Sequence, residues 1–403
     1  MICLEVSKFI NTFAHYYSNN NYSDNKMTLI KNPFVIGTYV SPEYFCDREQ
    51  ETAMLRKHID NGRNVALAAP RRLGKTGLIH HFLQSDYMQE EYYTFFVDLY
   101  STNSLAEMVH QLAKAICTQL QSRISHWWER FGTVVSSLSM GISIDPLTGQ
   151  PSFNVALGQI HSPEHTLDEI FRYLETADKP CVVAIDEFQQ IANYEEKNVE
   201  ALLRTQIQCC SNTHFIYSGS KRHMMAQMFN SPSFPFYQSA IGMSLTPIPL
   251  DTYCRFCQDL FERYGKRLDA DVVAQVYNDY EGYTWFMHMI LNELFANTAK
   301  GKCCTTAMLQ EALQNVVLLQ EPLYREQLAQ LPTKQKMLLQ ALAKEGRAQG
   351  VTSAAFVRKY SLPGASSVQA ALKGLLEKEI VTQSEGVYWI YDYFFASWLK
   401  DNI

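Results

Sequence analysis

Ala69-Pro70-Arg71-Arg72-Leu73-Gly74-Lys75-Thr76 follows a short apolar run, Asn64-Val65-Ala66-Leu67-Ala68, and precedes a stretch of helical periodicity from about Thr76 to Gln84. It fits the pattern G-x-x-x-x-G-K-[ST] except at its first position, where Ala69 stands. A phosphate cradle needs a tight loop whose backbone N–H groups point inward, and a helix N-terminus behind it. It also needs a lysine for the β- and γ-phosphates and a hydroxyl for Mg²⁺. Gly74, Lys75 and Thr76 supply these parts in a strand–loop–helix setting. Alanine can replace the first glycine wherever φ is negative there. The nucleotide-binding candidates are therefore Ala69, Pro70, Arg71, Arg72, Leu73, Gly74, Lys75, Thr76 and Gly77.

About 110 residues further on, Val182-Val183-Ala184-Ile185-Asp186-Glu187 reads as a buried strand ending in two carboxylates. Asp186 is expected to share Mg²⁺ with Thr76, largely through water, and Glu187 to orient and deprotonate an attacking water. The loop in its strand–loop–helix setting is specific; an apolar strand ending in Asp-Glu is only moderately so alone, and paired with the loop at this distance it points to a nucleoside triphosphate with Mg²⁺. Ser218, at the end of a further strand, stands where a γ-phosphate sensor would lie, although a plain strand-to-loop turn explains it as well. Arg71, Arg72, Arg204 and Arg222 are candidates for neutralising transition-state charge, with no sequence reason to choose among them.

Outward from these motifs the organisation is α/β. Residues 92–99 and 180–185 and His214 to Tyr217 read as strands, and residues 104–131 as a helix. Strands alternating with helices imply a parallel sheet with helices on both faces. Ahead of the loop, a helix is expected from Asp47 as N-cap, with Gln50 at the capping-box position, to Asn61-Gly62. Residues 138–157 break the pattern: two alternating stretches flank Asp145-Pro-Leu-Thr-Gly149-Gln-Pro151, which reads as an inserted β-hairpin. After Pro249 strand signals stop and residues 250–330 are mostly helical. Helices over 333–345, 352–360 and 365–378 followed by short strands near 380–383 and 387–391 spell a winged helix-turn-helix. The expected divisions are a flexible segment over 1–31, an α/β nucleotide-binding domain over 32–248, a helical lid over 249–330 and a winged helix over 331–403.

The chain has 403 residues, 47% apolar and 19% charged, which excludes a disordered polymer and leaves room for several domains. Thirty-five Lys and Arg against 41 Asp and Glu argue against a chain-wide basic nucleic-acid binder. No uninterrupted apolar run of 18 residues is present, so no membrane helix is expected. Ten scattered cysteines are too few for a disulfide scaffold and suit a reducing cytoplasm. Cys254-Arg-Phe-Cys257 sits in a helical pattern without a second pair at zinc spacing and is expected to pack in a core. Residues 1–26 carry an Asn/Ser tract and no secretory signal; Met27 opens a more ordinary start, and translation is expected to begin there.

Pro70-Arg-Arg-Leu-Gly-Lys-Thr76, Ile185-Asp-Glu-Phe-Gln189 and Tyr217-Ser-Gly-Ser220, taken as a set, resemble the archaeal-type ATPases, P-loop proteins of the STAND group related to AAA+ ATPases. The resemblance covers about residues 32–400. It implies an AAA+-like P-loop NTPase domain, a helical lid and a winged helix, with ATP as the nucleotide. Asn32-Pro-Phe34 and Phe45-Cys-Asp-Arg48-Glu49 look like the family's segment beside the adenine, so by analogy Arg48 lies near the nucleotide or makes a salt bridge within the domain. Two departures stand out. The lid glycine of Glu281-Gly282-Tyr283-Thr284 lacks the family's nearby proline, and Gln238 stands where many relatives carry an arginine after Pro235-Phe236-Tyr237. The second departure implies weakened or partner-dependent hydrolysis.

Residues 331–403 hold nine Lys and Arg against six Asp and Glu. In the recognition helix, Ser366, Ser367 and Gln369 are placed to reach base edges, and Lys373 and Lys378 phosphates. Few phosphate contacts are on offer, so packing on the ATPase domain to sense its state stands beside DNA reading. The aromatic run Tyr388 to Phe395 reads as wing strand plus docking surface; exposed, it would be a sticky patch, so it is expected to pack inward or on a partner. A nucleotide-driven switch with slow ATPase activity, a nucleotide-gated DNA-binding regulator and an ADP-holding scaffold remain the functional alternatives. An unknown protein partner, and a ring or a closed monomer, are equally open.

Overall fold

The computed structural model describes residues 30–121, 141–144, 151–154, 160 and 162–402. The expectations for residues 1–29, including the start at Met27, and for 122–131 of the long helix lie outside them.

The helix before the loop, α1 (Glu49–Asp60), buries Leu55 and Ile59, one turn apart, and ends at Asn61 and Gly62 as its sequence requires. Its start corrects the sequence expectation. Arg48, not Asp47, is the N-cap; no side chain caps the helix, and both residues have left-handed backbone (φ 58° and 80°). Burial of Arg48, which pairs with Glu51 three residues on and reaches the Leu73 carbonyl, overrides the local capping preference of Asp47.

β1 (Val65–Ala68) leads into the loop and α2 (Lys75–Leu83) leads out of it. There follow α3 (Asp86–Glu91), β2 (Tyr93–Asp98), α4 (Leu105–Gln121), β3 (Gly141–Ile144), β4 (Pro151–Asn154), α5 (Pro163–Glu175), β5 (Cys181–Asp186), α6 (Val199–Cys209), β6 (Thr213–Gly219), α7 (Arg222–Asn230) and β7 (Ile241–Ser244). β3 and β4 pair antiparallel, as the hairpin reading requires, while the turn between them lies outside the described residues.

The main sheet has the order β2-β5-β6-β1-β7, every pairing parallel. β5 is buried along its whole length because helices cover both faces, and its side chains alternate between two cores. Val183 and Ile185 join the cluster containing α4, α5 and α6; Val182 and Ala184 join the one beneath α1 and α2. The edge strand β7 carries no sequence signal: Ile241-Gly-Met-Ser is short, interrupted by glycine and largely exposed. Parallel strands with register Asp98↔Asp186 and Ala68↔Gly219 bring the loop and the carboxylates to one carboxyl-end edge.

The helical segment comprises α8 (Leu250–Arg263), α9 (Ala270–Asp279), α10 (Thr284–Asn297) and α11 (Leu309–Ala329), with a two-residue pairing of β8 (Arg267–Leu268) and β9 (Cys303–Cys304). Cys257 is wholly buried in its core. The winged helix comprises α12 (Thr333–Glu345), β10 (Ala348–Gln349), α13 (Ala354–Lys359), α14 (Ala365–Glu377), β11 (Val381–Ser384) and β12 (Val387–Ile390). The aromatic run is strand through Ile390 and then packs inward as a helix. Asp392 accepts hydrogen bonds from the N–H groups of Phe394 and Phe395 and starts α15 (Tyr393–Asp401), whose Phe394, Phe395, Trp398 and Leu399 are buried. One apolar cluster runs unbroken from Phe34 through the lid helices to Trp398. No helix among the described residues is long and apolar enough to cross a membrane.

Candidate nucleotide site

The loop between β1 and α2 has two left-handed residues, Arg72 (φ 65°) and Gly74 (φ 94°). Ala69 is not among the positive-φ residues, which is why alanine is tolerated at the first position of the motif. At Gly74 the backbone favours glycine, and an added Cβ would lie 3.6 Å from the Thr284 hydroxyl. Lys75 is buried and closes the loop on itself: its Nζ donates to the carbonyls of Ala69 (2.9 Å) and Pro70 (3.1 Å). Burial lowers its pKa, against the charges of Glu187 and Asp186, which raise it. Arg48 pairs with Glu51 at 2.6 Å and donates to the Leu73 carbonyl at 3.4 Å, so it both makes its salt bridge and supports the loop. Gly77 lets Phe45 approach α2: a Cβ would sit 3.3 Å from that ring, which stacks on His81 at 4.5 Å.

Thr76 donates its hydroxyl to Asp186 at 2.6 Å, and Asp186 accepts the Glu187 N–H at 3.0 Å. A hydroxyl and a carboxylate side by side, behind a lysine and a helix N-terminus, form the hard-oxygen donor set that suits Mg²⁺ carrying triphosphate oxygens. Glu187 has left-handed backbone (φ 52°), a strained conformation of the kind that clusters at functional sites. One of its oxygens accepts from the Ser220 hydroxyl (2.6 Å) and from the Gln189 amide. Sequence reasoning pointed to Ser218. That hydroxyl is fully buried without a hydrogen-bond partner, and Ser220, two residues on, is the one that reaches the carboxylate. Ser220 belongs to the same motif; strand alternation gives the two serines the same parity, and what separates them is that β6 ends at Gly219, leaving Ser220 in the following turn.

The remaining surroundings come from the far end of the chain. Arg71 donates to Ser220 at 3.3 Å and pairs with Glu379 at 2.6 Å; Lys221 also pairs with Glu379, at 2.8 Å. Arg72 pairs with Asp392 at 2.8 Å and lies 4.1 Å over the Trp285 ring. Its carbonyl accepts from the Thr284 hydroxyl (3.1 Å) and the Trp285 N–H (3.2 Å) at the start of α10. The lid thus touches the loop through Thr284 although the proline is missing. Of the four arginine candidates, Arg71 and Arg72 sit in the loop. Arg222 is exposed at the start of α7, and Arg204 lies on α6 close enough to influence the Tyr217 phenol. Gln238 has left-handed backbone, and its N–H donates to the Phe229 carbonyl. Glu379, Asp392 and Thr284 carried no local motif and were missed.

A parallel sheet of this order, with the glycine-lysine loop after β1, the strand between β6 and the edge strand β7, and a winged helix beyond a helical lid, is a P-loop NTPase fold of the AAA+ kind. Residues 322–401 match the family described as "Probable winged helix domain"; the match opens at Pro322 inside α11. The solved Walker-type ATPase PABY2304 of Pyrococcus abyssi superposes with a TM-score of 0.62 at 18% identity, over 91% of this chain and 99% of that one. The ORC2 protein of Aeropyrum pernix, solved as ADPNP and ADP complexes, gives 0.59 at 13% identity over 92% and 95%. The ORC1 protein of the same organism, solved with DNA, gives 0.51 at 13% identity over 90% and 94%. No curated protein sequence matches the chain.

Proposed function

We propose that this chain is an ATP-binding, Mg²⁺-dependent ATPase of slow turnover that works as a nucleotide-driven switch of the STAND type in the cytoplasm. The observation that carries this reading is the convergence of Lys75, Thr76, Asp186 and Glu187, from two distant motifs, on one edge of the sheet. The α/β domain would span 32–248, the lid 249–330 and the winged helix 331–403. The backbone of Ala69 to Gly77 would cradle the phosphates, with Lys75 leaving the Ala69 and Pro70 carbonyls for them. Thr76 and Asp186 would hold Mg²⁺, which supplies charge neutralisation on the β- and γ-phosphate oxygens. Glu187 would take a proton from water as the water oxygen bonds the γ-phosphorus and the bond to the bridging oxygen breaks, giving ADP and phosphate. With Gln238 in place of arginine, a partner or second copy would supply the missing cation.

Titration of the intact protein with MgATP and MgGTP, beside its Lys75→Ala variant, tests this. ATP binding that the variant loses supports the proposal; absence of ATP binding in the intact chain defeats it.

The alternative is a nucleotide-gated DNA-binding regulator. Ser366, Gln369, Lys373 and Lys378 are exposed on or just beyond α14, and Lys334 lies 3.2 Å from the Ser367 hydroxyl. This reading expects duplex DNA affinity that falls steeply with salt. Failure of the apo, ADP and ATP forms to retard duplex DNA at low salt would remove it.

A further inference from the structure

Glu379 occupies a position that its helix would give to another residue. At the end of α14 the N–H of Glu379 bonds the Leu376 carbonyl and that of Ile380 the Leu375 carbonyl, both at 3.0 Å. This is a Schellman ending, whose left-handed position strongly favours glycine. Glu379 holds φ 56° there instead. A β-carbon at that angle is a conformational burden, one that Glu379 shares with nine other non-glycine residues among those described.

The side chain has a destination. Its two oxygens pair with Arg71 at 2.6 Å and Lys221 at 2.8 Å. Arg71 donates through Nε to the Ser220 hydroxyl, and Ser220 donates to Glu187 at 2.6 Å. The chain of contacts is continuous: winged-helix carboxylate, loop guanidinium, hydroxyl, candidate base. Ser220 and Lys221 are sequence neighbours after β6, so Glu379 fixes this turn from both sides. While it does, one of the two Glu187 carboxylate oxygens is held by two donors, Ser220 and Gln189, which fixes the orientation of the carboxylate.

We propose that Glu379 is a positioning residue for Glu187: through Arg71 and Ser220, the docked winged helix holds the base away from water and sets the hydrolysis rate. This deepens the ATPase reading and rests on it. Undocking frees Arg71 for the phosphates and releases the Ser220 turn, so loss of the Glu379 carboxylate accelerates the chemical step without improving ATP binding. The three ion-paired side chains are about one-third exposed, so salt weakens the contact.

The test uses Glu379→Gly, which suits the left-handed backbone and removes the carboxylate while leaving the fold no less stable. Single-turnover hydrolysis at saturating MgATP, ATP affinity and thermal midpoint are measured for the intact protein, Glu379→Gly, Ser220→Ala and the double variant. The expected result is a rate increase of about tenfold, the size of one charged hydrogen bond released. ATP affinity changes less than about twofold, since uniform binding is untouched. The thermal midpoint is not lowered, and the double variant is no faster than the single ones. Added salt raises the intact protein's rate but not that of Glu379→Gly. An unchanged or lower rate in a Glu379→Gly protein that folds and binds ATP overturns the proposal, including where the intact chain shows no turnover. Loss of ATP binding by all four proteins instead overturns the ATPase reading itself.

Discussion

Arg72 and Asp392, 320 residues apart, form an ion pair at 2.8 Å that ties the phosphate loop to the first turn of the last helix. Asp392 also caps that helix through the N–H groups of Phe394 and Phe395. The Arg72 guanidinium lies over Trp285 and Phe286 at 4.1 and 4.7 Å. Loop, lid and winged helix therefore meet at one residue.

The two tasks of Asp392 separate by substitution. Asp392→Ala loses cap and charge together and is expected to cost roughly 1–2 kcal/mol in urea unfolding. Asp392→Asn keeps the cap and loses only a partly exposed ion pair, a cost below about 1 kcal/mol. Equal costs would mean that the cap contributes nothing.

Gly282 tests the lid. Its φ of 72° suits glycine, and a Cβ would meet the Pro247 Cβ at 2.6 Å and the Tyr277 ring at 3.1 Å. Gly282→Ala is expected to destabilise by at least about 1 kcal/mol in urea unfolding. It should also loosen the neighbouring Thr284 contact to the loop. Wild-type stability in this variant would show that the lid turn is not as tightly packed as its geometry requires.

Acid sensitivity follows from half-buried histidines. Burial lowers the pKa of His288, whose Nδ1 faces the Val35 carbonyl at 3.1 Å, and likewise that of His80. With folded values below the unfolded one, the unfolded chain binds more protons as pH drops beneath the ordinary histidine range of about 6.5. Stability from this source is full above that range and falls as pH decreases through the folded values. The urea midpoint should decline on acidification from neutral pH, and His288→Gln should flatten part of that decline. A midpoint that rises on acidification would reverse the sign.

Asp186→Asn addresses the Mg²⁺ donor set. It leaves the loop in place but weakens the oxygen beside Thr76. Turnover should drop at least ~100-fold and the Mg²⁺ dependence of ATP affinity should disappear. Titration with ATP in Mg²⁺ and in chelator reads this directly, and an intact Mg²⁺ dependence would place the metal elsewhere.

The local motifs were legible because they are local. Gly74-Lys75-Thr76 and the apolar strand ending at Asp186-Glu187 each lie within a few residues and need only strand–loop–helix chemistry to be read. The three winged-helix helices likewise announced themselves by periodicity. What was lost is what tertiary contact decides. Asp47 reads as an N-cap until Arg48 is drawn inward by Glu51 and the Leu73 carbonyl. The β7 strand is too short and exposed to carry a pattern. The end of the aromatic run reads as a docking surface, and only the Asp392 cap shows that it packs as a helix. Glu379 and Asp392 look like surface charges in sequence, and only folding sets them against Arg71 and Arg72.

The most direct measurement is steady-state phosphate release from MgATP by the intact protein and by Glu187→Gln, each with its ATP affinity determined in parallel. The expected result is slow turnover in the intact chain and a loss of at least ~100-fold in the variant, with ATP affinity retained. Equal turnover in the two proteins, or an intact protein that binds no ATP, would contradict the assignment of Glu187 as base in an ATPase site.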